Sequence, residues 1–255
     1  MIKEHPHTIL FSQSATTSAE VTVCISLYNY QQYIVETLES VNSQTLQCLD
    51  LIVVDDRSTD NSLALAGEWM QQNAERFNRI KLIRHEQNQG LSITRNTAIL
   101  QTGTPYIFIL DADNLLYPRC LERCLEALTF DPNAAVAYPI IEKFGSEQAL
   151  MGNVVWERSQ FLKQNCIDAM SLIRKSALLQ VNGYSFLNAI GPLGWEDYEL
   201  WCKFIEANLY GISVPELLAR YRIHDASMLH STSNQDDNVR ALRQEMQKHH
   251  SWLKL

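Results

Sequence analysis

The run Tyr106-Ile107-Phe108-Ile109-Leu110 stops abruptly at Asp111-Ala112-Asp113. A short, β-rich apolar run bounded by Pro105 reads as a buried strand of a parallel sheet. Its two carboxylates therefore emerge at the strand's carboxyl end, where open α/β sheets bind ligands. Two aspartates with one small residue between them can share a hard divalent cation and leave coordination positions open for phosphate oxygens. Taken alone, so short a pattern is better read as a solvated loop whose aspartates cap the next helix. The rest of the chain overturns that reading.

Working outward, strand and helix patterns alternate. Val21 to Leu27 and Leu49 to Val54 read as strands, the second running into Asp55-Asp56. Gln31 to Ser43 carries Ile34, Leu38 and Val41 at helical spacing. Ser58 or Asp60 caps a helix to about Arg76, and a strand at Ile80 to Arg84 and a helix at Ser92 to Leu100 lead to Tyr106. Pro118 opens a helix to about Thr129, and Ala134 to Tyr138 is the next strand. This alternation predicts an α/β fold with a doubly wound, mainly parallel sheet. After Pro139 the rhythm weakens: strand pieces near Val154 to Trp156 and Ala169 to Ile173, a helix near Arg174 to Val181, and a loop marked by Pro192 and Gly194. An amphipathic helix from about Glu196 to Ala207, strands at Tyr210 to Val214 and Leu218 to Ile223, and a polar helix from about Asp236 to Trp252 complete the chain. The expected organisation is an N-terminal extension (1–20), one domain over 21–230 with a nucleotide-binding half (21–138) and an acceptor half (139–230), and a C-terminal helix (231–255).

Composition sets limits. With 255 residues, 46% hydrophobic and 20% charged, the chain is an ordinary globular protein. A formal charge of -8 argues against a broad nucleic-acid or anionic-membrane surface. The six cysteines form no C-x-x-C and lie mostly in apolar patterns, as free thiols in a reducing compartment do. No apolar run of about 18 residues occurs, so a soluble, cytoplasmic protein without a transmembrane segment is expected, with peripheral membrane contact left open.

Five segments, in order and on the right elements, resemble family 2 glycosyltransferases of the GT-A fold. They are the strand entering Ser26-Leu27-Tyr28-Asn29; Asp55-Asp56-Arg57-Ser58-Thr59-Asp60; Asn88-Gln89-Gly90 with Arg95-Asn96; Asp111-Ala112-Asp113; and Gly194-Trp195-Glu196-Asp197-Tyr198-Glu199-Leu200. The similarity covers nearly everything from Val21 to about Ser227. Arg57 stands where glycine is usual, and Thr97-Ala98 replaces the more usual x-Gly.

The residues carry readings of their own. Tyr28 and Asp55 or Asp56 lie just past adjacent strands, where an aromatic ring and a carboxylate suit a nucleobase; packing and helix capping are the bland alternatives. The resemblance implies that one aspartate of this turn holds the base, without choosing between them, and it adds Ser26 to the nucleotide site. Gly90 permits a tight turn, and Arg95 meets either a phosphate or a carboxylate of the metal site; a helix start with a surface arginine is as good a reading. The resemblance makes Asp113 the direct ligand of Mn2+ or Mg2+ and Asp111 its partner, contacting ribose or a metal water. Glu196 and Asp197 suit a helix N-terminus on dipole grounds alone. The resemblance makes Asp197 the base that takes the acceptor's proton and Glu196 an acceptor-orienting neighbour, which implies inversion at the anomeric carbon. The segment Tyr221-Arg222-Ile223-His224 resembles the family's Tyr-Arg-x-His, making His224 a third metal ligand. His5, His7, His85, His230, His249 and His250 have no such context.

The implied substrates are a nucleotide-diphosphate sugar, a UDP-sugar first, and a glycan, lipid-linked or other hydroxyl acceptor. The acceptor would meet Trp156, Asp168, Trp195 or Tyr198. No Gln-x-x-Arg-Trp motif is present, so transfer of single sugars is expected rather than processive synthesis. Two rivals differ in class. A sugar nucleotidyltransferase needs a Gly-rich phosphate loop after the first strand, and Cys24 to Tyr33 contains no glycine. A non-catalytic nucleotide-sugar or glycan-binding module would not need the carboxylates of Asp111, Asp113, Glu196 and Asp197.

Overall fold

The computed structural model describes residues 1–16, 18–224, 227, 232–233 and 235–255. One sheet contains strands β1 (His7–Ser14), β2 (Val21–Leu27), β3 (Leu49–Asp55), β4 (Arg79–His85), β5 (Tyr106–Asp111), β6 (Leu115–Leu116), β7 (Val136–Gly145), β8 (Ala149–Met151), β9 (Leu172–Arg174) and β10 (Gly211–Ile223). Their order is β1-β4-β3-β2-β5-β9-β7-β10-β6, with β8 beside β7. The helices are α1 (Ile34–Asn42), α2 (Ser62–Gln72), α3 (Leu91–Gln101), α4 (Cys120–Phe130), α5 (Lys175–Gln180), α6 (Glu196–Glu206) and α7 (Asp236–His249).

Successive strand side chains point to opposite faces, and the sheet is buried on both. Val21, Val23, Ile25 and Leu27 pack with Leu38 of α1, Met70 of α2 and Leu121 of α4. Cys24, Ile52 and Val54 face the other way, toward Ile99 of α3, Leu178 of α5, Trp201 and Phe204 of α6, and Leu242 and Met246 of α7. The result is a three-layer sandwich in which β4, β3, β2 and β5 are parallel and end together at the site. β7 and β10 are also parallel, and β9 runs antiparallel between β5 and β7.

Several elements depart from the sequence reading. Residues 7–14, read as part of an extension, form β1, which pairs antiparallel with β4 and covers that edge of the sheet. The expected strand near Trp156 is absent from the described elements. Trp156 instead joins an aromatic cluster with Phe161 and Trp201, ring centroids 5.1 and 5.7 Å away. Gly211 makes room for it, since a Cβ there would lie 2.5 Å from the Trp156 ring. The two strands expected around Pro215 are one, β10, whose register slips between Val214 and Leu217, where a proline is tolerated. His230 lies outside the described residues. Among the described residues, no helix is long and apolar enough to cross a membrane.

Candidate active site

Asp111 ends β5 in register with Ser26 at the end of β2, and Ser26 remains partly exposed. The turn that follows is fixed from two sides. Thr37 of α1 donates its hydroxyl to the Ala112 carbonyl at 2.9 Å. From β10, the Arg222 amide donates to Asn114 Oδ1 and its Nε donates to the Asp113 carbonyl, at 2.8 and 2.9 Å. This clamp brings the end of β10 over the turn, leaving His224 Nε2 3.0 Å from Asp113 Oδ2. Burial raises the pKa of the nearby Tyr30 hydroxyl, and the charge of Asp113 raises it further. The His224 ring lies between Tyr33 and Tyr30, with centroids at 5.0 and 6.0 Å. Burial raises the pKa of the Asp113 carboxyl above its ordinary value, while the hydrogen bond from His224 pulls it the other way.

Arg95 occupies the centre of the site. Its side chain is 2% exposed; Nη2 donates to Asp111 Oδ1 at 2.7 Å and Nη1 to Glu196 Oε1 at 2.6 Å. Its guanidinium also stacks 5.1 Å over the Tyr184 ring. Burial alone would disfavour the cation, but the two carboxylates outweigh it and hold the guanidinium charged. Of the two partners anticipated for Arg95, phosphate or metal-site carboxylate, the geometry supplies the carboxylate.

Helix α6 starts at Trp195, whose backbone is left-handed (φ 59°), after Gly194 at φ 104°. A Cβ at Gly194 would lie 2.5 Å from Ser233 Oγ. Asp197 accepts hydrogen bonds from Asn165 Nδ2 and from the Tyr198 amide, both at 2.7 Å. Burial raises its pKa well above the usual carboxylate range, and the charges of Glu196 and Asp168 raise it further. Asp168 is itself pushed up to about 7, first by burial and then by Asp111. Several buried polar atoms around this junction make no hydrogen bond among the described residues: Arg95 Nε, Ser92 Oγ, Tyr184 Oη and Glu196 Oε2.

The turn after β3 is closed by contrast. Asp56 Oδ1 accepts from His85 Nδ1 and the Gln89 amide at 2.7 and 2.8 Å, and its Oδ2 accepts from the Gly90 amide at 2.7 Å. Gly90 adopts φ 89°, and a Cβ there would meet the Phe186 ring at 3.4 Å. Asp55 accepts from the Ser58 amide at 3.3 Å and pairs with Arg84 at 3.3 Å. Tyr28, beside this turn, is 43% exposed.

Ser26, Tyr28, Asp55, Asp56, Gly90, Arg95, Asp111, Asp113, Glu196, Asp197 and His224 thus lie along the carboxyl ends of the central strands and the facing start of α6. Sequence reasoning passed over His85, which bridges Asp56 to Thr97 Oγ1 at 2.8 Å, and Tyr30. Both positions follow a strand or sit within a few residues of a motif, but neither residue type at that spacing signals a contact. Tyr198, considered as a saccharide contact, is 1% exposed and donates its hydroxyl to the Phe161 carbonyl, and Trp156 packs in the aromatic cluster; Trp195 and Asp168 remain at the cleft.

Known proteins extend this picture. The family model described as Glycosyl transferase family 2 matches residues 22–180. Putative glycosyltransferase EpsE of Bacillus subtilis (strain 168) is 29% identical over 208 residues, spanning 80% of this chain and 73% of EpsE. Chondroitin synthase of Escherichia coli is 32% identical over 192 residues, which span 73% of this chain but 26% of the synthase. Among solved structures, S. aureus TarS (residues 1-349) in complex with UDP-GlcNAc superposes with a TM-score of 0.67 at 18% identity, covering 89% of this chain and 65% of that one. Mannosyltransferase PcManGT from Pyrobaculum calidifontis, in complex with GDP-Man and Mn2+, gives 0.65 at 19% identity, covering 84% and 59%. This likeness to GT-A enzymes agrees with the strand order, and the family model spans most of the sandwich, including the Asp111-Ala112-Asp113 turn. The chain belongs to glycosyl transferase family 2.

Proposed function

We propose that this enzyme moves a single sugar from a nucleoside-diphosphate sugar to a hydroxyl acceptor, with inversion and with the help of Mn2+ or Mg2+. The observation that carries this reading is the placement of two acid groups across one cleft: the Asp111–Asp113 turn with His224, and the start of α6 with Asp197. Arg95 ties the two sides together. A solved neighbour holds UDP-GlcNAc and another GDP-Man with Mn2+, which supports a nucleotide-sugar donor for this chain and leaves a UDP-sugar as the first choice. The acceptor is a glycan, a lipid-linked saccharide or another hydroxyl compound. Six unpaired cysteines support a reducing, cytoplasmic setting, and residues 21–138 and 139–230 serve as donor and acceptor halves.

Among the described residues, no three His, Cys, Asp or Glu side chains form a ready-made cage. Asp113 and His224 nevertheless converge, and Asp111 keeps a second oxygen free of hydrogen bonds among the described residues. That donor set fits a cation that takes the rest of its shell from water and the donor's phosphates. Such a cation, when bound, neutralises the charge that develops on the departing diphosphate. Asp113 and His224 would hold it, and Asp111 would contact it or the ribose. Asp56 is committed to the loop at 88–90, so Asp55 is the turn's acceptor for a base N–H, with Tyr28 as the stacking ring. Gly90 keeps the backbone close to the phosphates, and Ser26 lies beside the ribose. Asp197, with its raised pKa, takes the acceptor's proton, and Glu196 orients that acceptor.

The test is Asp113→Ala, assayed by calorimetry with the donors that the wild type binds. Loss of the Mn2+-dependent part of binding in a folded variant is expected, and unchanged affinity would remove Asp113 from the metal site.

A further inference from the structure

The sugar being transferred must occupy the space between its leaving diphosphate and the base, so any side chain facing that space from a third direction meets the sugar ring itself. Asp168 is placed there by two independent constraints. The first is sheet register. β9 pairs antiparallel with β5, setting Phe108 opposite Leu172, and the Ile109 amide donates to the Ser171 carbonyl at 3.4 Å. The pairing ends there, because the Ser171 amide turns back to the Ala169 carbonyl at 2.7 Å, and residues 165–170 leave the sheet beside the end of β5. The second is the anchorage of the preceding residues to α6. Asn165 donates to Asp197, and the Trp201 indole donates to the Ile167 carbonyl at 2.8 Å. The segment 165–171 therefore runs from Asp197 to the end of β5, the strand that carries Asp111.

The side chain has one oxygen to spare. Asp168 is 9% exposed; its Oδ1 accepts the Met170 amide at 2.9 Å, and its carbonyl accepts the Ser171 hydroxyl. Oδ2 makes no hydrogen bond among the described residues, although it is not sealed from solvent. Tyr221 is on β10, one residue before Arg222, which clamps the Asp113 turn; burial raises its hydroxyl's pKa, and the charges of Asp168 and Asp111 raise it further. A buried carboxylate held through one oxygen, with the other unbonded among the described residues, can accept from adjacent hydroxyls of a pyranose.

We infer that Asp168 recognises the ring hydroxyls of the donor sugar and so selects which sugar is transferred. This rests on the transferase reading above. It differs from an acceptor contact because the acceptor approaches Asp197 from the side opposite the diphosphate, whereas Asp168 belongs to the segment that leads from Asp197 back to β5, the strand carrying Asp111.

Calorimetry separates the two levels of the argument. Wild type, Asp168→Asn and Asp168→Ala are titrated, with Mn2+, with UDP and GDP and with UDP-glucose, UDP-galactose, UDP-N-acetylglucosamine and GDP-mannose. For a nucleotide that the wild type binds, the variants should bind the bare diphosphate within about twofold of wild type. The ratio of sugar-nucleotide to diphosphate dissociation constants should rise about tenfold, as expected for a lost hydrogen bond to a charged group. Preference among the UDP-sugars should flatten. Asp168→Asn keeps an acceptor for the Met170 amide, so it decides the matter if Asp168→Ala melts early. An unchanged ratio in the folded Asn variant, or equal losses with and without the sugar, would overturn the assignment. A wild type that binds none of these nucleotides would instead overturn the transferase reading beneath it.

Discussion

The turn after β3 and the start of α6 both present carboxylates to the cleft, yet they are built in opposite ways. In the first, Asp56 is taken up by His85, Gln89 and Gly90, whereas Asp55 accepts from the Ser58 amide and pairs with Arg84, whose Nε makes no hydrogen bond among the described residues. In the second, Glu196, Arg95 and Tyr184 each keep a buried polar atom without a hydrogen bond among the described residues, and Trp195, like Arg57 of the first turn, carries a left-handed backbone. Satisfied polar groups lock a geometry, whereas unsatisfied ones and uncommon backbone conformations persist where the surrounding structure enforces them, often at functional sites. The loop around Asp56 is therefore locked by its own hydrogen bonds, and the start of α6 retains polar capacity that the proposed reaction would use.

The sharpest way to break this contrast is Asp197→Asn, which keeps the shape and removes the basicity. Turnover should fall by about 10²–10⁴-fold while donor affinity stays within a few-fold, and the wild-type product should be inverted by NMR. Near-normal transfer, or a retained configuration, would reduce Asp197 to a helix-start carboxylate. Arg95→Met comes next, because it strands two carboxylates beside a buried apolar chain. A loss of about 3–5 kcal/mol of unfolding free energy in urea is expected. A smaller effect is expected on the closed side. His85→Ala removes one partner each from Asp56 and Thr97, and should cost about 1–3 kcal/mol and weaken nucleoside binding, with no change in the dependence of turnover on pH.

The smallest effect is a pH dependence at His250. Burial would lower this imidazolium's pKa, but Glu199 and Glu206 outweigh it and hold it above the ordinary histidine value. A group whose folded pKa is raised contributes stability that is fully present below the unfolded value, about 6.5, and that fades as pH rises through the folded one. The melting temperature of wild type should therefore exceed that of His250→Gln most at low pH. The gap should narrow as pH rises beyond the ordinary histidine value; a gap that is constant or widens with pH would contradict the charge assignment.

The alternation of strands and helices was readable because each element buries one face, and period reports burial. The motif carboxylates were readable because strand ends project polar residues at fixed places, as at Asp111 and Asp55. β1 was missed because an exposed edge strand buries little and shows no clean alternation. β10 was split because Pro215 breaks a sequence pattern that a register slip accommodates in space. The choice between Asp55 and Asp56 depended on where His85, 29 positions from Asp56, would fold back, and local spacing carries no such information. Arg95 was placed in the site, but its two partners at separations of 16 and 101 residues could not be read locally.

That last arrangement has a genetic consequence. Asp111, Arg95 and Glu196 share one buried cation, so substitutions at the three positions should be strongly non-additive, the first change carrying most of the penalty and later ones little. A lineage leaving this triad would have to cross a deep fitness valley at its first step, while neighbouring acceptor-side positions drift freely. Redesign of the proposed acceptor half can exploit this: exposed positions such as Glu157, Ser159 and Lys163 are open to exchange as long as Trp156 and Phe161 keep their cluster and the three-residue tie is inherited as a block.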